Sequence, residues 1–341
     1  MHRHPARRPK NVPITASKGS PYARIEGLGA AVPSRVVDNA EMCTYIDSSD
    51  EWIQQRTGII ERRWVGPGED VRTLSLAAAR QAIERAGLTP ADVDAVIIST
   101  VSHLVQTPSL AAIVAAELGC QDAAAFDISA ACAGFCYGIG MAESLVRSGA
   151  ATHVLAIGAE TLSEMTDLSD RSTAFLFADG AGAAVVGPSD VATMGPIVWG
   201  SDGDQATVIE MNRTWPEAVA SGQPSQIMMD GRPVFRWATT FIAEAAHRAL
   251  AAAGLAPEDL DVFVPHQANN RITDAMLRHL KLPDSVKVAR TIKHYGNNSA
   301  ASIGVALDAM IASGEAKSGD TCLIIGFGAG LVYAGQVITI P

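Results

Sequence analysis

The sequence predicts an α/β protein built twice over: two β-α-β-α-β halves stacked about a pseudo-dyad into five layers, α-β-α-β-α. Three pairs of matching segments, in the same order, predict it. "AARQAIERAGLTPADVDAVII" from Ala78 matches "AHRALAAAGLAPEDLDVFV" from Ala246, with Gly87 set against Gly254 and Pro90 against Pro257. "SAACAG" (Ser129–Gly134) parallels "SAASIG" (Ser299–Gly304), and "VLAIG" (Val154–Gly158) parallels "CLIIG" (Cys322–Gly326). The offsets run from about 167 to about 170 positions, the self-similarity of a duplicated unit.

In the first matched pair, each copy shows an amphipathic helix stopped by glycine, then a Pro-Asp turn, then an apolar strand. Strands such as "AVIIST" and "CLIIGFG" lack polar alternation and suit a sheet buried on both faces. Helices alternating with such strands imply right-handed parallel crossovers. From Cys132 to Ser148 the run is apolar almost all round, through Phe135, Ile139, Ala142 and Val146 with Met141 and Leu145 between. It reads as a buried central helix of about 25 Å, at ~1.5 Å per residue. The helix beginning near Ser302 is its partner in the second copy. The halves span residues 22–190 and 191–341, and residues 1–21, opening "MHRHPARRPK", read as a flexible basic tail.

A chain of 341 residues, 48% of them hydrophobic, is long enough to bury a large core. The net charge of −10 argues against nucleic acid as a partner, because phosphate binding needs a basic footprint. No apolar h-region follows the basic N-terminus, so it does not read as a secretory signal. No run reaches the ~18 apolar residues of a membrane span. The cysteines Cys43, Cys120, Cys132, Cys136 and Cys322 are odd in number and scattered. That fits a reducing cytoplasm rather than a disulfide framework.

Cys132 stands where a strand-type run gives way to the central helix. Unpaired N–H groups and the helix dipole at that end favour thiolate over thiol and lower the cysteine pKa. Ala130, Ala131, Ala133 and Gly134 leave room for an acyl group, and the Cys132 N–H could face a developing oxyanion. Cys136, one turn later, reads as core, and no nearby ligand supports a Cys132–Cys136 metal site. His266, in "FVPHQANNRI", follows directly on an apolar strand, where parallel sheets usually bind ligands. Asn297, in "YGNNSAAS", precedes the second buried helix, although turn chemistry alone also explains asparagine there. The glycine-rich "FADGAGAAVVG" runs turn-then-strand, the reverse of a nucleotide-binding loop, and reads as structural support.

The segments "SAACAGF", "VPHQANNRI", "YGNNSAAS" and "FGAGL" together resemble the thiolase superfamily. Within it the chain closely resembles the β-ketoacyl-acyl carrier protein synthase III family, from about Tyr22 to Pro341. The resemblance implies a thiolase-like fold and a Cys132–His266–Asn297 site. Cys132 would take an acyl group from an acyl-CoA. His266 and Asn297 would stabilise the enolate formed as malonyl-carrier protein loses carbon dioxide. The product would be a 3-ketoacyl-carrier protein, the first intermediate of type II fatty acid synthesis. The backbone N–H of Ala329 would be a second oxyanion donor, and Phe327 would lie with it at the acyl pocket. Trp52 and Arg171 would flank the CoA adenine, Arg56 a phosphate, and Gly231 and Asn269 the pantetheine tunnel. Arg236, Arg271 and Arg278 would dock the acidic carrier protein. The family also implies a homodimer, CoA thioesters as substrates and no permanently bound cofactor. Thr107 stands where straight-chain members carry a phenylalanine that reaches across the dimer, which implies a starter bulkier than acetyl. Asn298 replaces a more usual threonine.

Other readings share these residues. A priming ketosynthase of a polyketide pathway would use the same chemistry on an unusual starter. An acyltransferase of the same fold would not need Asn297, and a non-catalytic subunit would not need the full set. The papain-type local signature is missing, which argues against a cysteine protease.

Overall fold

Two five-stranded mixed sheets carry the fold, and their strand orders are copies of one another. The structure is a computed structural model that describes residues 14–341. The first sheet holds β1 (Tyr22–Ala31), β2 (Ala95–Ser99), β3 (Ala124–Ile128), β4 (Val154–Thr161) and β5 (Asp179–Ser189) in the order β1-β5-β4-β2-β3. The second holds β6 (Val198–Ser201), β7 (Val262–Pro265), β8 (Lys287–Val288), β9 (Thr321–Gly328) and β10 (Val332–Thr339) in the order β6-β10-β9-β7-β8. In each sheet three strands run parallel, as the crossovers imply. The two remaining strands pair antiparallel, which the apolar pattern alone does not signal.

The helices repeat too. In the first half they are α1 (Val71–Arg85), α2 (Leu110–Leu118) and α3 (Gly134–Ser148). In the second they are α4 (Gly231–Ala252), α5 (Asn270–Leu280) and α6 (Ser302–Ser313). α1 begins at a capping box between Asp70 and Thr73, α2 at the Ser109 cap and α5 at the Asn269 cap, each satisfying N–H groups that a helix start leaves open. One core joins both sheets through α3 and α6: Phe135, Ile139 and Val146 meet Ile303, Leu307 and Met310, with Ile97 and Ile324 from the sheets on either side. Separate cores pack α1 and α2 on the outer face of the first sheet, and α4 and α5 on that of the second. These are the five layers. Among the described residues, no helix is long and apolar enough to cross a membrane.

The repeat register in the middle of the halves differs from the one the sequence suggests. Short 3-10 turns precede both central helices, at Ala131–Ala133 and Ser299–Ala301, which are 168 positions apart. Their first residues share a left-handed φ, 43° at Ala131 and 45° at Ser299. The structural counterpart of Cys132 is therefore Ala300, not Ser302. Matching "SAAC" with "SAAS" slips the alignment by two, because both copies contain the same small residues.

Residues 1–13, most of the segment read as a basic tail, lie outside the described residues. The end of that segment is attached to the body. The Ser17 hydroxyl donates to the Ser148 carbonyl at 2.7 Å, and that of Ser20 to the Ser189 carbonyl at 3.1 Å.

Candidate active site

α3 and α6 both start without a side-chain cap. The preceding 3-10 turns satisfy their first N–H groups, Gly134 donating to the Ala131 carbonyl and Ser302 to the Ser299 carbonyl, and a space lies in front of those turns. That space is a cavity of about 160 Å³, to which Cys132, His266, Asn297, Ser299, Phe327 and Ala329 contribute. Apart from Glu210 its remaining wall is apolar, including Val101, Leu162 and Phe177 from the first half and Ile209, Met211 and Met229 from a two-stranded ribbon of the second.

The site residues lie far apart in sequence and are fixed by both halves. Asn297 is held by backbone bonds to the other half: its N–H donates to the Leu176 carbonyl and its carbonyl accepts from Ala178, both at 2.9 Å. Its Oδ1 accepts the Ser299 N–H at 3.0 Å, which assigns the amide and leaves the NH₂ for a ligand. His266 continues β7, with its N–H donating to Ile325 at 2.8 Å, and its ring stands edge-on to Phe327, centroids 5.3 Å apart. Its Nδ1 lies 2.7 Å from the Ser302 Oγ, which itself accepts the Gln267 N–H at 3.4 Å. With Ser302 assigned as the donor to Nδ1, the neutral imidazole carries its own proton on Nε2. Burial lowers the His266 pKa to about 3, so the ring is neutral in any working buffer.

Cys132 is partly exposed to the cavity and is packed from behind by Gly328. A Cβ on Gly328 would lie 2.7 Å from the Cys132 Cβ and 2.9 Å from its sulfur, so only glycine fits. The expectation of a lowered cysteine pKa is not met. Burial pushes the Cys132 thiol up to about 12, the Glu160 charge adds to this, and the Ser299 hydroxyl and the backbone N–H of Cys132 pull the other way. Desolvation of the sulfur is the largest of these causes. At rest the site holds a neutral thiol beside a neutral imidazole.

The outer residues are less closely gathered. Arg56 and Arg171 both stand over the Trp52 ring, at 5.5 and 5.0 Å, in cation–π contact. Because Arg171 already touches the ring, a base held between the two needs the arginine to swing out. Asn269 donates to the Arg56 carbonyl at 3.0 Å, linking that corner to α5. Asn269 and Gly231 do not line the cavity themselves; their near neighbours Ala268 and Val234 do. Arg236, Arg271 and Arg278 are exposed on α4 and α5, with Arg271 5.7 Å over the Phe235 ring. Thr107 is exposed on the loop before α2, beside exposed Leu104 and Val105, and does not reach the cavity of its own chain. Asn298 is buried at the turn before α6, and nothing in the structure gives its side chain a distinct role.

Sequence reasoning missed Ser299, Ser302 and Glu160. The serines were visible in "SAAS" but read only as a repeat. Glu160 stands next to last in a strand that is apolar up to that point, and an acidic residue in that position was a signal.

The family described as 3-oxoacyl-[acyl-carrier-protein (ACP)] synthase III matches residues 126–203, and its C-terminal counterpart matches residues 250–340. The beta-ketoacyl-[acyl-carrier-protein] synthase III of Streptomyces glaucescens is 54% identical over 96% of this chain and 99% of its own. The chain belongs to the β-ketoacyl-acyl carrier protein synthase III family. The mycobacterial synthase III of Mycobacterium marinum is 46% identical over 96% of this chain and 98% of its own. Among solved structures, the priming β-ketosynthase of the R1128 polyketide pathway superimposes with TM-score 0.94 at 46% identity, covering 96% of this chain and 98% of that one. The Aquifex aeolicus enzyme gives 0.87 at 38%, covering 93% and 99%. The synthase III chain is therefore a condensing acyltransferase that joins an acyl starter to malonyl-acyl carrier protein, with acyl-CoA as its thioester substrate.

Proposed function

We propose that this synthase works through an acyl-Cys132 intermediate and a donor pair made of His266 and Asn297. The observation that carries the reading is the shared cavity: one sulfur and two uncharged N–H donors on loops from both halves. The Cys132 sulfur attacks the acyl-CoA carbonyl, CoA leaves, and the acyl group waits on the protein. Storage on sulfur splits one hard condensation into two displacements. Malonyl-carrier protein then places its thioester oxygen between Nε2–H of His266 and the Asn297 NH₂. These donors stabilise the enolate as carbon dioxide departs. The enolate carbon attacks the acyl-cysteine, and the Cys132 and Ala329 N–H groups receive the tetrahedral oxyanion. Trp52, Arg56 and Arg171 hold the CoA nucleotide; Gly231, Asn269 and Phe327 border the path and pocket. Arg236, Arg271 and Arg278 meet an acidic carrier protein. Incubation with isobutyryl-CoA and malonyl-carrier protein should, once the enzyme is acylated, release CoA and carbon dioxide one for one with 3-ketoacyl product; sustained CoA release without carbon dioxide contradicts the reading.

The enzyme works as a cytoplasmic homodimer in which Thr107 completes the partner's acyl pocket. Its exposure, with that of Leu104 and Val105, supports this role. A threonine in place of phenylalanine leaves room for a branched or longer starter. In a competition among acetyl-, isobutyryl- and hexanoyl-CoA, Thr107→Phe should shift selection toward acetyl by at least about tenfold, the scale of one or more methylenes in a pocket. An unchanged profile means that another wall sets the limit. The R1128 likeness favours priming of a polyketide chain as the second reading. Rates with fatty-acid and polyketide malonyl-carrier proteins separate the two pathways.

A further inference from the structure

Glu160 is the one acid in β4, next to last in the strand and 0% exposed. Both of its oxygens are in use. Oε2 accepts from the Ser102 hydroxyl at 2.7 Å, the Val101 N–H at 3.1 Å and the Thr100 hydroxyl at 3.3 Å, all in the segment that leaves β2. Oε1 accepts from the Ser299 hydroxyl at 3.3 Å, across the boundary between the halves. Among the described residues no cation pairs with this carboxyl, and burying one without a cation is costly. An apolar side chain would be easier to bury there, so what the carboxyl contributes is its hydrogen bonds. They lead to the Asn297 amide. Ser299 donates its N–H to Asn297 Oδ1 at 3.0 Å, so the place of Ser299 sets where the Asn297 NH₂ points. Ser299 holds a left-handed φ of 45°, a conformation unfavourable for a residue with a Cβ. Ala131 holds the same conformation in the twin turn with no side chain able to hydrogen-bond. The hydroxyl is therefore not needed to make the turn; it fixes where the turn sits. The turn also has little slack against β4, because a Cβ on Gly158 would lie 2.2 Å from the Ala300 carbonyl oxygen. Val101 and Ser299, bound to different oxygens of Glu160, both line the cavity.

We propose that Glu160 is a positioning residue for the condensation: through Ser299 it holds the Asn297 amide at the spot where the enolate oxygen forms. The inference rests on Asn297 being an enolate donor. In this role Glu160 and the Ser299 hydroxyl touch neither thioester nor enolate; they fix the turn from which the amide is aimed. One carboxyl ties both halves, so the cavity wall at Val101 and the amide keep a fixed separation. Misplacing a group at the reacting centre by about 1 Å costs on the order of 10²-fold, so a loosened turn lowers the rate even with the amide itself intact. The role requires hydrogen bonds at the two terminal atoms rather than a charge. A glutamine meets it, because its NH₂ donates to the Ser299 oxygen while its own oxygen keeps the donors of residues 100–102. A leucine fills similar space and makes none of these bonds.

Single-turnover carbon dioxide release tests this in the full-length enzyme. Each variant is first brought to one isobutyryl group per chain, checked by intact mass, and then mixed with radiolabelled malonyl-carrier protein. The acyl group is already in place, so only the second half-reaction is read. Ser299→Ala should slow carbon dioxide release by about tenfold, and Glu160→Leu by at least as much. Glu160→Gln should recover most of what Glu160→Leu loses. In an Asn297→Ala background, Ser299→Ala should add less than about twofold, because a turn that aims an absent amide has nothing left to misplace. A Ser299→Ala loss that appears undiminished in that background overturns the proposal, since it would mark a structural defect unrelated to the amide. Wild-type release in Ser299→Ala overturns it too, as does Glu160→Gln as slow as Glu160→Leu. So does a Ser299→Ala enzyme that cannot be acylated, because a role confined to the amide leaves acyl storage intact. If Glu160→Leu does not fold, the Ser299→Ala and Asn297→Ala cycle decides alone. Normal release in Asn297→Ala by itself instead overturns the reading beneath the proposal.

Discussion

Replacing either His266 or Asn297 with alanine is expected to slow malonyl decarboxylation by about 10²–10³-fold, the usual scale for losing one oxyanion donor. Acylation of Cys132 in the same variants should fall less than about tenfold, because neither group touches the sulfur's proton in this account. The asymmetry follows from the hydrogen bonds. Ser302 occupies Nδ1 of the imidazole and the Ser299 N–H orients Oδ1 of the amide, so each side chain presents an N–H donor to the cavity. Because burial holds the His266 pKa near 3, lowering the pH from 8 to 5 does not charge the ring, and decarboxylation should stay flat over that range on its account. The double variant should lose little more than either single one, since the donors act on one oxygen. Carbon dioxide release from radiolabelled malonyl-carrier protein reads the first effect, and single-turnover CoA release the second. Wild-type decarboxylation in Asn297→Ala would remove the amide from the account.

Gly328→Ala is expected to cost at least about a hundredfold in acyl transfer, since displacing a reacting group by about 1 Å has that effect. The added methyl would stand 2.9 Å from the sulfur and 3.0 Å from the Cys132 N–H, so it collides with nucleophile and oxyanion donor together. Neither neighbour can retreat easily. Cys132 sits in the turn that starts α3, and Gly328 ends a strand buried along nearly its whole length. Overpacking of this kind also lowers stability, by roughly 1–3 kcal/mol. Thermal unfolding alongside the rate separates the two effects. A folded Gly328→Ala enzyme with normal acylation contradicts the packing described.

The duplicated fold was legible because its signals are local and repeated. Glycine stops, Pro-Asp turns and unbroken apolar strands each report on a few neighbouring residues, and two copies agree on them. The register was less legible. Small residues fill both turns, so the match of "SAAC" to "SAAS", which sets Cys132 against Ser302, does not reflect their places in the fold; the shared φ at Ala131 and Ser299 does. Cys132, His266 and Asn297 could be picked out by motif, and the fold brings them to one cavity. Their protonation could not be read from motif or helix position. The charge state of Cys132 depends on how much water the sulfur loses, a property of both halves together, and that reverses the direction suggested by the helix end alone. Glu160, Ser299 and Ser302 matter through hydrogen bonds between distant segments, which a single sequence does not display.

The most direct measurement is peptide mapping by mass spectrometry after a brief exposure of the enzyme to isobutyryl-CoA, before any malonyl-carrier protein is added. One acyl group on the peptide containing Cys132, and none on half-exposed Cys43, is the result this account requires. A stable acyl group on another residue, or turnover by Cys132→Ala with no acyl-enzyme at any time, contradicts it.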